Sequence, residues 1–320
     1  MRNGLKTLLA LFLTGITWVI LAFPSRIAYR LTERDLVPEG ITYSRTTDSF
    51  YIGSLHKHKI VQIDAQTGKA RDFITSGLLP MRFLGMIVDR DGKHLWACGN
   101  ANKDGRQHST VAKFDLKTGK LVRSFLRVDK TENVYNDLVQ DKDGTIYFTN
   151  TKLQTVLAIG KDDESARVFF DSAAIAHPNG ITISPESEYL YIASNDNGIM
   201  ILDIKKKLII NKPDSRFDSK GLDGLKYYKN SLIGLQNEVK SRSDVTLARY
   251  FLNETGSAII AMKIMDRNNP DFDIPTTFVI DGGHLYLLAN SQMANLDFSA
   301  NKIRNPDALS DILVLKYQLE

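Results

Sequence analysis

One unit recurs six times along this 320-residue chain, and self-similarity of that period constrains a fold more tightly than any single motif. Its first segment begins at Gly40, Gly85, Asp137, Gly180, Gly224 and Thr277, so successive copies are 45, 52, 43, 44 and 53 residues apart. Each is followed by a turn rich in Asp, Gly, Ser or Asn, such as Asp91-Gly92 and Asp143-Gly144, residues that favour tight hairpins. A second segment, rich in β-branched and aromatic residues, starts at Phe50, Leu95, Ile146, Leu190, Leu232 and Leu285, as strands require. Third segments read Lys59–Asp64, Thr110–Asp115, Thr155–Ile159, Gly198–Asp203 and Ala258–Met262. The period and about four strands per unit predict an all-β fold, a six-bladed β-propeller with four-stranded blades over residues 26–320.

The last unit shows only three strands, ending in Ile312–Tyr317. The stretch Arg26–Leu31 is expected to pair with it as the fourth, closing the ring and leaving no open sheet edge.

Residues 1–25 read as a separate object, a signal peptide or membrane anchor. Arg2 and Lys6 precede an apolar run from Leu8 to Phe23, and Pro24 stands where a small residue would be wanted for cleavage. Cleavage and retention both stay open, with membrane association through residues 8–23 if the segment is kept. Either way the propeller is expected to be exported: periplasmic, secreted or lumenal. The formal charge of +4 is spread along the chain, which gives no electrostatic footprint for nucleic acid. A lone cysteine, Cys98, excludes an intrachain disulfide and a cysteine-rich zinc site.

The residue just before each first segment forms a ring at the mouth of a propeller's channel: Glu39, Leu84, Asn136, Asn179, Asp223 and Thr276. Two carboxylates and two carboxamides converging from different blades suit a hard divalent cation bound by oxygen, and the absence of His and Cys disfavours zinc. Taken singly, each is an ordinary turn former. Four polar oxygens at one phase of the repeat repel one another unless a cation sits among them.

The segments Pro38-Glu39-Gly40-Ile41, Asn136-Asp137-Leu138, Pro178-Asn179-Gly180-Ile181-Thr182 and Leu222-Asp223-Gly224-Leu225 resemble the signature segments of the senescence marker protein, gluconolactonase and regucalcin family, whose superfamily includes the paraoxonases and strictosidine synthase. The resemblance covers residues 36–320. It implies one divalent cation, usually calcium, held by Glu39, Asn179 and Asp223, with Asn136 touching metal or substrate. It also implies hydrolysis of a small-molecule lactone or ester, with Asp223 as general base or nucleophile and Glu39 as runner-up.

Two departures shift the substrate expectation. Arg82-Phe83-Leu84-Gly85 stands where paraoxonases carry a histidine, and Val134 stands where gluconolactonases place a sugar-gripping arginine, which tilts the rim toward a more hydrophobic ester or lactone. His177, beside Pro178-Asn179, is a candidate proton shuttle and substrate contact. His56, His58, His94 and His284 read as surface residues, and His108 as part of a loop over 100–109. Second-strand ends, Asn100, Asn150, Asn195, Gln236 and Asn290, are candidates for the pocket wall, Asn150 among the substrate-binding residues. The insertions 238–244 and 291–311 are long enough for a lid. No Gly-x-Ser-x-Gly elbow or phosphate loop occurs. The rival reading is a non-catalytic propeller that binds a peptide or glycan around a structural metal.

Overall fold

The computed structural model describes residues 25–130, 132–237 and 245–320. Six four-stranded antiparallel sheets follow one another along the chain as blades. Blade 1 holds Pro38–Ser44, Ser49–Ser54, Ile60–Asp64 and Ala70–Ile74, and blade 2 holds Arg82–Val88, His94–Lys103, Arg106–Asp115 and Leu121–Asp129. Blade 3 holds Tyr135–Gln140, Ile146–Asn150, Thr155–Ile159 and Arg167–Asp171; blade 4 holds Pro178–Ile183, Tyr189–Ser194, Gly198–Asp203 and Leu208–Ile209. Blade 5 comprises Leu222–Tyr227, Ser231–Gln236, Thr246–Leu252 and Ile259–Arg267. Blade 6 is composite: Phe278–Asp281, His284–Leu288 and Ile312–Gln318 are completed by Arg26–Leu31. The expected closure is therefore present, with Leu31 opposite Ile312 and Arg26 opposite Lys316.

Each blade buries both faces, so a hydrophobic cluster fills each junction between neighbours. Leu36, Ile41, Phe50, Leu288 and Val314 fill the junction of blades 6 and 1, and Cys98, Val111, Tyr135, Leu138 and Phe148 that of blades 2 and 3. Burying one such aliphatic or aromatic side chain contributes about 1.5–3 kcal/mol, and it is this repeated contribution that holds the first strands side by side around the channel.

Local sequence explains the turns. The near-copies Asp64-Ala65-Gln66-Thr67-Gly68 and Asp115-Leu116-Lys117-Thr118-Gly119 build the same turn: Oδ1 of each Asp accepts the Thr backbone N–H, at 2.7 and 2.8 Å, and each Gly has φ near +70°.

Three expectations need correction. The third strand of blade 5 is Thr246–Leu252, and Ile259–Arg267 is the outer strand. The insertion after Gln236 displaces the strand along the sequence, and its buried Leu247, Tyr250 and Leu252 mark it as the inner of the two. Residues 100–109 are no loop, since His94–Lys103 and Arg106–Asp115 pair along their whole length and turn at Asp104-Gly105, both at positive φ. His56, His58, His94 and His284 are partly buried rather than surface groups; His56 Nδ1 lies 2.8 Å from the Asp35 carbonyl oxygen.

The segment 291–311 packs onto the mouth face of the fold. It carries a short hairpin, Leu296–Asp297 against Lys302–Ile303, and Leu296, Ile303 and Leu309 bury against Val37 and Leu55 of blade 1. The expected lid over 238–244 and residues 1–24 of the expected export segment 1–25 lie outside the described residues. Among the described residues no helix is long and apolar enough to cross a membrane.

Candidate functional site

The ring residues owe their position to an irregularity repeated in five blades. Strand pairing slips between Pro38 and Ile41, Phe83 and Met86, Tyr135 and Leu138, Pro178 and Ile181, and Leu222 and Leu225. Each slip frees two residues from the ladder, and a bulge of this kind re-aims side chains at a sheet's rim. The first of each pair is the ring residue: Glu39, Leu84, Asn136, Asn179 or Asp223. The second is glycine in four blades because the next blade's backbone passes there. A Cβ on Gly40 would lie 1.9 Å from the Leu84 carbonyl oxygen, and one on Gly180 would lie 2.4 Å from that of Asp223.

Blade 3 breaks this rule with Asp137, a residue that sequence reasoning passed over. Its Oδ1 accepts the Leu138 N–H at 2.9 Å, and its Oδ2 accepts the Ile181 N–H at 3.3 Å and the Lys226 ammonium at 2.9 Å. Asp137 and Lys226 thus form a largely buried ion pair between blades 3 and 5. The signal was available in the sequence: an acid at the glycine phase of the repeat.

Glu39, Asn136 and Asp223 are buried, each 7–8% exposed, and Asn179 is partly buried. Burial pushes the Glu39 carboxyl well above the ordinary carboxylate range; the negative charges of Asp223 and Asp137 add to the rise and Lys226 opposes it. Among the described residues no hydrogen-bond donor serves this carboxylate. The same surroundings raise the Cys98 thiol, burial first and then Asp137 and Glu39, so Cys98 is held protonated.

Two ring side chains are held from the residue that leaves the second strand of their own blade. Asn136 Nδ2 donates to Thr151 Oγ1 at 3.1 Å, and Asn237 Nδ2 donates to Asp223 Oδ2 at 2.5 Å. The same two residues reach the following blade, Thr151 donating to the Pro178 carbonyl and Asn237 to that of Pro275, both at 2.7 Å. Thr149 and Thr276 add donors to the backbone carbonyls of Asn179 and Glu39. Sequence reasoning placed this phase one residue early in blades 3 and 5, at Asn150 and Gln236, because the bulge adds a residue that strand counting does not register.

Asn150 is fully buried and bonded to backbone N–H groups of Val134 and Leu153. Asn100 and Asn290 do similar work, bonding to Tyr135 and to Leu313. His177, half exposed, sits two residues before Asn179 with Nδ1 3.0 Å from Asp196 Oδ2. A second acidic group, Asp89, Asp91 and His94, has potential ligand atoms within 4.8 Å of one another. It lies in the first hairpin of blade 2, away from the ring, and Asp89 there accepts the Lys93 and His94 N–H groups and faces His94 Nδ1.

The ring fits a divalent cation by its chemistry. Two carboxylates and two carboxamides offer oxygen alone, and a buried carboxylate without a donor, beside two further negative charges, is the arrangement a hard cation relieves. These features define a class, the six-bladed propellers with a carboxylate and carboxamide ring at the channel mouth. Residues 33–226 match the SMP-30/gluconolactonase/LRE-like region, and the chain belongs to that family. No curated protein matches it. Similar solved structures include the major allergen Mala s 1 of Malassezia sympodialis, 16% identical over 91% of this chain and 95% of that one, with a TM-score of 0.66. A gluconolactonase of Xanthomonas campestris is 15% identical over 92% and 94%, with a TM-score of 0.62. A calcium-binding regucalcin of Agrobacterium tumefaciens is 15% identical over 92% and 94%, with a TM-score of 0.55. At these identities the likeness is one of fold.

Proposed function

We propose that this protein is a hydrolase of small lactones or esters that depends on one divalent cation, calcium, at the channel mouth. The observation that carries the reading is the pairing of Glu39, a buried carboxylate without a donor, with Asp223, a second carboxylate whose Oδ2 is fixed by Asn237. Family membership supports the substrate class.

When bound, the cation polarises the substrate carbonyl and offsets the charge that develops on its oxygen. Glu39, Asn136, Asn179 and Asp223 hold it. Asp223 also takes the proton of the attacking water or attacks directly, with its orientation set by the Asn237 amide. Asn136, steadied by Thr151, orients the substrate, and His177 with Asp196 serves the rim as proton carrier.

The reading extends to location: residues 1–25 direct export, either cleaved or kept as an anchor. N-terminal sequencing of the protein recovered from fractionated cells tests that step, and a cytosolic protein with an intact Met1 would refute it.

The activity is tested with the full chain on a panel of lactones and aryl esters, in calcium and in excess chelator, beside Asp223→Ala. Turnover that requires calcium and is lost in a folded Asp223→Ala supports the assignment. If no panel member is hydrolysed while calcium raises the melting temperature, the hydrolase reading fails and a propeller that binds a peptide or glycan takes its place.

A further inference from the structure

The hairpin face, at the far end of the first strands from the ring, carries a second feature. A cavity of about 300 Å3 opens between blades 2 and 3, large enough for a small organic molecule rather than one or two waters. Its blade 2 wall is a row across three strands. Trp96 lies opposite Lys113, and Lys113 lies opposite Arg123. Phe125 stacks on Trp96 with ring centroids 6.0 Å apart, while Lys113 lies over the indole at 5.0 Å and Arg123 over the phenyl ring at 4.8 Å. From blade 3, Lys142 and Lys161 complete the rim.

Two details of this wall are unfavourable as they stand. Like charges directly opposite on neighbouring strands destabilise a sheet, yet Lys113 faces Arg123 and neither has a carboxylate partner among the described residues. Trp96 is only 7% exposed, and its indole N–H is buried with no acceptor, a loss that a native core normally avoids. An anionic acceptor in the cavity relieves the first directly, and relieves the second once the indole N–H, closed to solvent in this conformation, turns toward it. Two of the three carboxylates on the wall are already engaged, Asp89 with His94 and Asp91 with Lys93 at 3.3 Å; the third, Asp143, sits exposed at the rim.

We infer that this cleft is a second ligand site, which binds a small molecule bearing a tetrahedral oxyanion, a phosphate or sulfate ester, through Lys113, Arg123 and the Trp96 indole N–H. The paired cations grip the anion, the indole turns its buried N–H to donate to it, and the cations on the aromatic faces are held in place by those faces. The site is independent of the channel mouth and stands whether or not the hydrolase reading does.

Titration of the full-length protein with inorganic pyrophosphate, inorganic phosphate and sulfate, followed by tryptophan fluorescence and calorimetry, tests it. The chain has two tryptophans, and Trp96→Phe identifies which one reports. We expect saturable binding that shifts the Trp96 emission, weakened about tenfold or more in Lys113→Met/Arg123→Met, as loss of a charge-assisted contact implies, and several-fold in Trp96→Phe. That double variant should also melt at a higher temperature than wild type without anion, since it removes the repulsion. Preference among the three anions distinguishes a phosphate from a sulfate ligand. No saturable binding of any of the three, or equal affinity in the double variant, overturns the inference.

Discussion

Lys226 places its ammonium 2.9 Å from Oδ2 of Asp137, joining the first strands of blades 3 and 5 across the intervening blade 4. Asp137 stands at a bulge position that is glycine in four other blades, and it repays the crowding by accepting two backbone N–H groups and this ammonium. Removing one partner of a largely buried pair leaves the other uncompensated, at about 3–5 kcal/mol. Lys226→Met should therefore lower the urea midpoint strongly at neutral pH, and added calcium should recover more of that loss than it adds to wild type. A midpoint within error of wild type would show that the pair is solvated.

Glu39 makes the metal-free fold pH-dependent, with a sign opposite to that of a salt-bridged acid. Its carboxyl is raised by burial and by the charges of Asp223 and Asp137, so the folded state holds the proton more tightly than the unfolded chain. Stability from this group is present below the ordinary carboxylate value and is lost as pH rises through the raised one. In chelator, wild type should lose melting temperature over that window relative to Glu39→Gln. Calcium binding should release protons there, seen as a buffer-dependent heat in calorimetry. Identical pH profiles for the two proteins would remove Glu39 from the account.

The sequence carried most of this fold and part of the site. Hairpin chemistry and strand composition repeat with little noise, so the blade number and even the closing role of Arg26–Leu31 are legible in the sequence. The ring could be counted because it sits at a constant phase, one residue before each first segment. What stayed hidden depends on register. A one-residue slip at each mouth moves the second-strand exit from Asn150 to Thr151 and from Gln236 to Asn237, and only pairing across the sheet reveals it. Asp137 and Lys226, 89 residues apart, meet through the curvature of the whole ring, which no local pattern encodes.

Asn237 is the clearest positioning residue that the structure adds. Its amide ties Asp223 Oδ2 to the Pro275 carbonyl, so Asn237→Ala should leave the fold but loosen the carboxylate. Groups that orient a metal-binding side chain are typically worth about 10–100-fold in affinity. Calcium affinity by calorimetry should fall by that order, with Asn237→Asp failing to restore it because a second negative charge would face Asp223. An unchanged affinity in Asn237→Ala would reduce this contact to packing.

The composite sixth blade makes the N-terminal strand a structural element rather than a spacer behind the leading segment. Arg26–Leu31 covers the outer edge of Ile312–Gln318, Tyr29 donates to the Ala65 carbonyl in blade 1, and Leu31 enters the core between blades 6 and 1. A chain starting at residue 32 would expose a row of unpaired backbone groups along Ile312–Gln318, a template for intermolecular pairing. Size-exclusion chromatography should show that truncation forming dimers or larger aggregates, whereas a chain starting at Ser25 stays in one species at the same concentration. If both elute alike with equal melting temperatures, the strand contributes nothing to closure. Otherwise any cleavage of the leading segment must fall before Arg26, because a cut within Arg26–Leu31 would open the ring.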